Sequence, residues 1–158
     1  MEHSQDVRQL IVNSRPLLTT VSNLWTKNHK YIGYCHLIKV SDGLHDIETI
    51  SKRKADNLLE KDLIRISKQL TKLLGNVQLT QNQFDALVSL VYDIGIQAYR
   101  ASELPKLFKE GKLTEAVGMF RRWNKYEKNP KYQLIIARQK EIQLFNDGWF
   151  KRTRKKKR

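Results

Sequence analysis

Apolar residues recur at three- and four-residue steps along most of this chain, most clearly over LTQNQFDALVSLVYDIG, residues 79–95. Phe84, Leu87, Val88, Val91 and Tyr92 make one stripe, and Ala86, Leu90 and Ile94 widen it until little of the circumference is polar. The pattern predicts a central helix with neighbours on several sides. Thr80 and Gln83 stand at capping-box spacing at its start, and Gly95 supplies a residue that tolerates a left-handed C′ position at its end. A second long helix is expected from Ser51 to Gly75, with Ala55, Leu58, Leu59, Leu63, Ile66, Leu70, Leu73 and Leu74 on one face and charges on the other. Shorter helical stretches fall at 5–13, stopped before Pro16, at 98–101, at 102–109 with Pro105 in an early turn, at 114–123 and at 131–146. Only Thr19 to Val40 reads differently. Its Thr, Val, Tyr and Ile content and its alternation suit a small antiparallel sheet turning at 27–30.

Length and composition narrow this further. A chain of 158 residues, 40% hydrophobic and 29% charged with only 7 Gly and 3 Pro, suits one ordered helix-rich domain, here placed at 1–150, with a basic segment at 151–158. A single cysteine, Cys35, excludes an intramolecular disulfide and argues against a cysteine-based metal site. The N-terminus has no secretory plan and no run is long enough to span a bilayer, so the expected location is the cytoplasm of the producing cell, or the nucleus if the protein is delivered into a eukaryotic host. Net charge is +14, and half of it lies in the last eight residues. Lys151, Arg152, Arg154, Lys155, Lys156, Lys157 and Arg158 read as a self-repelling, disordered arm for nucleic acid or import, against the plainer reading of a solubilising end. The rest is basic enough to favour an acidic partner, whether nucleic acid, protein or cell-wall glycan. A monomer is expected, and no cofactor.

Five blocks in consistent order, YIGYCH, ISKRKADNLLEKDL, LTQNQFDALVSLVYDIG, S-x-L-x-x-L-F-x-x-G with WNK, and AR-x-x-E-x-x-LF, resemble the phage-type lysozymes, the muramidases of bacteriophages and prophages. The resemblance covers about residues 14–145. It implies a lysozyme-like α+β fold: a small β-hairpin lobe and a larger helical lobe joined by a long helix, with a sugar-binding cleft between them.

The resemblance also places the chemistry. The family carries a Glu at the end of its first helix, an Asp nine residues on, and a Thr opening the hairpin block. Glycoside cleavage needs one protonated carboxyl for the leaving oxygen and a second group for the water or the oxocarbenium charge. Setting the family's EG-x-x-L against SRPLL puts Ser14 at the Glu, Asn23 at the Asp and Tyr31 at the Thr, with Cys35 at a hairpin glycine. A serine hydroxyl is no general acid, and Asn23 keeps the shape of Asp without its charge. Loss of acid catalysis alone costs on the order of 10²–10⁴ in rate. The expectation is therefore a lysozyme scaffold that has lost peptidoglycan hydrolysis and binds a protein, glycan or nucleic acid. The alternative is a working muramidase using a non-standard acid, for which Asp42, Asp46 and Glu48 are candidates, with Glu2 and Asp6 too far upstream. Tyr31, His36, Trp25 and Arg138 are the candidate binding residues. Each has a plainer reading: His36 as a cleft-wall histidine, Trp25 and Tyr31 as core of a tiny sheet, Arg138 as an ion-pair partner of Glu141 that fixes the last helix. His29 and His36 lack a third ligand at metal spacing, and Cys35 lacks an orienting acid.

Overall fold

The computed structural model describes residues 1–23, 28–44, 49–126 and 129–156, and no side chains at 126, 129 and 148–156. Helix α1 (Gln5–Ser14) starts at Ser4, whose hydroxyl accepts the Asp6 N–H, and buries Val7, Leu10 and Ile11. The chain leaves it extended at Arg15, as a residue before proline must. Strands β1 (Leu18–Ser22), β2 (Tyr31–Gly33) and β3 (His36–Leu37) make an antiparallel sheet in the order β1-β2-β3. Gly33 stands at φ +66°, with Ala55 packed 3.5 Å from where a Cβ would project, so both backbone and space call for glycine. Cys35 adopts φ +61° without that freedom, the only described non-glycine residue in the left-handed region.

Ser51 caps the connecting helix α2 (Lys52–Leu74) through the Lys54 N–H, and the apolar stripe expected of it is buried except for Leu73, which is half-buried. The central rod is α3 (Gln81–Ile94). Its capping box is made in both directions, Thr80 Oγ accepting the Gln83 N–H and Gln83 Oε1 accepting the Thr80 N–H. Phe84, Ala86, Leu87, Val88, Leu90 and Val91 are fully buried, consistent with a helix apolar nearly all round. Gly95 ends it at φ +84°, ψ 156°, an extended left-hand conformation rather than the expected αL cap, because the same residue also opens α4 (Ile96–Ala101).

Helices α5 (Leu104–Lys109) and α6 (Leu113–Met119) follow. The helix expected to run through Trp123 gives way at Phe120–Arg122 to a 3-10 turn. A two-residue ladder, β4 (Lys125–Tyr126) with β5 (Asn129–Pro130), leads to α7 (Tyr132–Lys156), which lies along α3. Helix α7 runs ten residues past the expected end at Asn146. Residues 151–156 continue the helix where a disordered arm was expected, since Lys and Arg are good helix formers and no proline intervenes. One core unites α1, α2, α3, α5 and α6 with Ile32 and Tyr34 of the hairpin region and Phe145 of α7. The result is the expected α+β arrangement, a small sheet and a helical lobe bridged by α2.

Candidate active-site cleft

Between the sheet and the helical lobe lies a cleft of about 360 Å³, whose walls include Tyr31, His36, Leu37, Asp62, Tyr92 and Asp93. Two ionic clusters flank it. The first hangs on His36, which β3 turns inward. Its Nδ1 pairs with Asp62 Oδ2 of α2 at 2.5 Å and its Nε2 with Asp42 Oδ2 at 2.9 Å. Asp42 also accepts the Lys39 N–H at 2.7 Å, and Arg65 reaches Asp62 at 3.2 Å. Burial disfavours the charged imidazole, yet the hydrogen bonds and charges of Asp62 and Asp42 outweigh it and raise the His36 pKa. Asp42 moves the other way: burial would raise it, and the Lys39 N–H and His36 bring it below its ordinary value.

The second cluster lies deeper, beside the end of α1. Arg15 Nε and Nη2 hold both oxygens of Asp93, at 3.2 and 2.8 Å, and Nη2 also reaches the Ser89 carbonyl, the Ser89 hydroxyl and Glu141 Oε2 at 3.1, 3.2 and 3.5 Å. Arg138 grips Glu141 through Nε and Nη2 at 2.5 and 2.6 Å, donates to Asp93 at 2.5 Å, and donates to the Trp123 carbonyl at 3.0 Å. Asp93 sits in the last turn of α3, at the negative end of the helix dipole, so its charge needs this neutralisation. Burial opposes the charge on Arg138, but Glu141 and Asp93 prevail and raise its pKa. Burial pushes Glu141 upward against the pull of Arg138 and Arg15.

The residues singled out from sequence fall unevenly on this geometry. Ser14 is buried at the last position of α1, its hydroxyl spent on the Leu10 carbonyl at 2.6 Å and accepting from Arg15 Nη1 at 2.6 Å. Asn23 is exposed just past β1. Tyr31 is a wall residue, only 4% exposed, packed with Cys35, Leu134 and Leu18 in a small apolar cluster that joins hairpin to α7. His36 is a cleft-wall histidine with both nitrogens engaged. Arg138, expected also to bind, is 1% exposed and spends its guanidinium internally, so the ion-pair reading is the one that describes it. Trp25, Asp46, Glu48, Lys157 and Arg158 lie outside the described residues, as do the side chains of Lys151, Arg152, Arg154, Lys155 and Lys156. Burial, then Asp93, raise the Cys35 thiol to about 12, so it offers no thiolate at neutral pH. Among the described residues, no three His, Cys, Asp or Glu side chains gather as metal ligands.

Sequence reasoning passed over Asp62, Asp93 and Arg15. A signal existed for each: a carboxylate inside the apolar stripe of α2, another closing an apolar rod, and an arginine forced inward ahead of Pro16.

A family model described as phage lysozyme matches residues 18–141. The chain belongs to the phage lysozyme family. The match begins at Leu18, after Ser14. Among relatives, the endolysin of Bacillus phage PZA is 36% identical over 123 residues, 78% of this chain and 46% of that protein. The endolysin of Acyrthosiphon pisum secondary endosymbiont phage 1 is 33% identical over 128 residues, 78% of this chain and 81% of that protein. This chain thus spans about half the length of the Bacillus phage relative and most of the other. Among solved structures, the muramidase domain of SpmX from Asticaccaulis excentricus superposes with TM-score 0.77 at 32% identity, over 91% of this chain and 97% of that one. The endolysin of Escherichia coli O157:H7 phage FAHEc1 gives 0.79 at 25% identity, over 94% and 95%.

Proposed function

We propose that this phage lysozyme family member engages peptidoglycan-type glycan in the cleft between its lobes, and that the family's proton-donor position is silent in it. The observation carrying the second half is Ser14: its hydroxyl is buried, bonded to its own helix and to Arg15, and no serine donates a proton to a glycosidic oxygen. The carboxylates described around the cleft are committed elsewhere, Asp42 and Asp62 to His36 and Asp93 to two guanidiniums. Excess positive charge suits an anionic wall polymer, and it suits nucleic acid equally.

Similarity to endolysins favours a second reading, in which the chain cleaves the β-1,4 bonds of peptidoglycan with an acid from another position. Asp46 and Glu48, which follow the hairpin, are the residues that reading would call on. Purified sacculi separate the two. Co-sedimentation without new reducing ends supports the binder; reducing ends released by the wild type, and not by boiled protein, support the hydrolase. Failure to sediment or release would overturn both.

A further inference from the structure

We propose that Arg65 and Lys39 read charge in the cleft: they select glycan that carries carboxylates over neutral glycan of the same backbone. This rests on the reading that the cleft engages peptidoglycan-type glycan, and it names what in that polymer is recognised.

The two cations line the cleft from different elements. Arg65 comes from α2, and Lys39 from the turn that joins β3 to the 3-10 helix Val40–Asp42. The Arg65 side chain is 43% exposed and makes one hydrogen bond among the described residues, from Nη2 to Asp62 Oδ1 at 3.2 Å. Nε and Nη1 are left for a ligand. Lys39 is exposed, and Asp42, the carboxylate nearest it along the chain, is paired with His36.

The carboxylates of the same cleft do not oppose these charges. Asp93 is 2% exposed and held by Arg15 and Arg138, while Asp62, 10% exposed, lies between His36 and Arg65. Ile94, Gly95, Ile96 and Gln97, which the helical lobe adds to the wall, carry no charge. A ligand therefore meets a positive rim over an interior that is already neutralised. Low-dielectric walls carrying one sign of charge concentrate ligands of the other. Arg65 adds direction, because a guanidinium with unengaged N–H groups fits a carboxylate as a fork, whereas Lys39 acts as a point charge. Peptidoglycan bears carboxylates on the peptides attached to its glycan. A chitin-type strand with the same β-1,4 linkage bears none and gains nothing from either cation.

The test compares two forms of one material. Sacculi with acetylated amines are used as such, or after carbodiimide coupling of their carboxylates to glycinamide, and binding of the full chain is measured by co-sedimentation at about 0.15 M salt. Arg65→Gln is expected to weaken binding to the carboxylated sacculi at least about threefold and to leave binding to the amidated ones unchanged. Arg65→Lys, which keeps the charge and loses the fork, should recover part of that loss. Arg121→Gln removes an exposed arginine outside the cleft walls and should change binding less than about 1.5-fold, since its charge is screened at that salt. No loss in R65Q, the same loss on both materials, or an equal loss in R121Q overturns the inference and leaves glycan binding standing. A wild type that sediments with neither material overturns the glycan reading and the inference together. Should R65Q fail to fold, Lys39→Gln, in an exposed turn, makes the same comparison with an expected loss of at least about twofold on the carboxylated sacculi alone.

Discussion

The two ionic clusters beside the cleft look alike in composition and differ in what can switch them. Around Arg15 and Arg138 the cations are guanidiniums, charged at every accessible pH, buried with their carboxylates and hydrogen-bonded to Ser89 and Ser14. At His36 the cation is an imidazole, held between Asp62 and Asp42 at a half-open edge. The first cluster is a fixed part of the interior, joining α1, α3 and α7. The second is a clamp between the sheet and α2 that is held on both sides only while His36 is protonated, since a neutral imidazole has a single N–H to donate. Burial explains both choices: a charge this deep persists only when it is paired and multiply hydrogen-bonded, whereas a shallower site tolerates a group that titrates.

The sharpest way to break the comparison is Arg138→Leu, which strands Asp93 and Glu141 with Arg15 alone. Removing one partner of a buried pair costs about 3–5 kcal/mol, and urea denaturation should show that loss at pH 6 and at pH 8 alike. A loss that varied strongly between those pH values would contradict the assignment of fixed charge. Asp62→Asn should cost less, about 1.5–3 kcal/mol for a hydrogen bond to a charged group, and more at the lower pH than at the higher, where its contact with Arg65 remains.

The wild-type pH dependence should be smaller again, and its sign follows from the shifts. The His36 pKa is raised above its ordinary 6.5, so its contribution is fully present below about that pH and fades as pH rises through the folded-state value. The Asp42 pKa is lowered from 3.8, so its contribution is present above that pH and fades in acid. Melting temperature should peak between the two and decline on the alkaline side, and Asp62→Asn should flatten that decline. Lys52→Ala serves as the exposed reference, since its pair with Asp56 is 3.2 Å long and the lysine is 70% exposed. Its effect should stay within about 0.5 kcal/mol, visible mainly at low salt.

The helices were legible because burial repeats with the turn of the helix. Thr80, Gln83 and Ser51 marked starts through short-range hydrogen bonds, and Gly75 and Gly95 marked ends. The sheet was legible as a region but not in its register, which spans the bulged β1–β2 pairing. The length of α7 was misjudged because a run of like charges argues for disorder while its Lys and Arg propensities argue for helix. The resemblance pointed to Ser14, Asn23 and Tyr31, of which Tyr31 lines the described cleft, and said nothing of what stands beside them.

By itself the sequence determined the α+β class, the central rod and the connecting helix, because periodicity and capping are properties of neighbours along the chain. Only the tertiary structure decided that Arg15, Asp93, Arg138 and Glu141 meet, with 126 residues separating the first from the last. Charge pairing in an interior depends on which surfaces the helices turn toward one another, and no spacing along the chain encodes that.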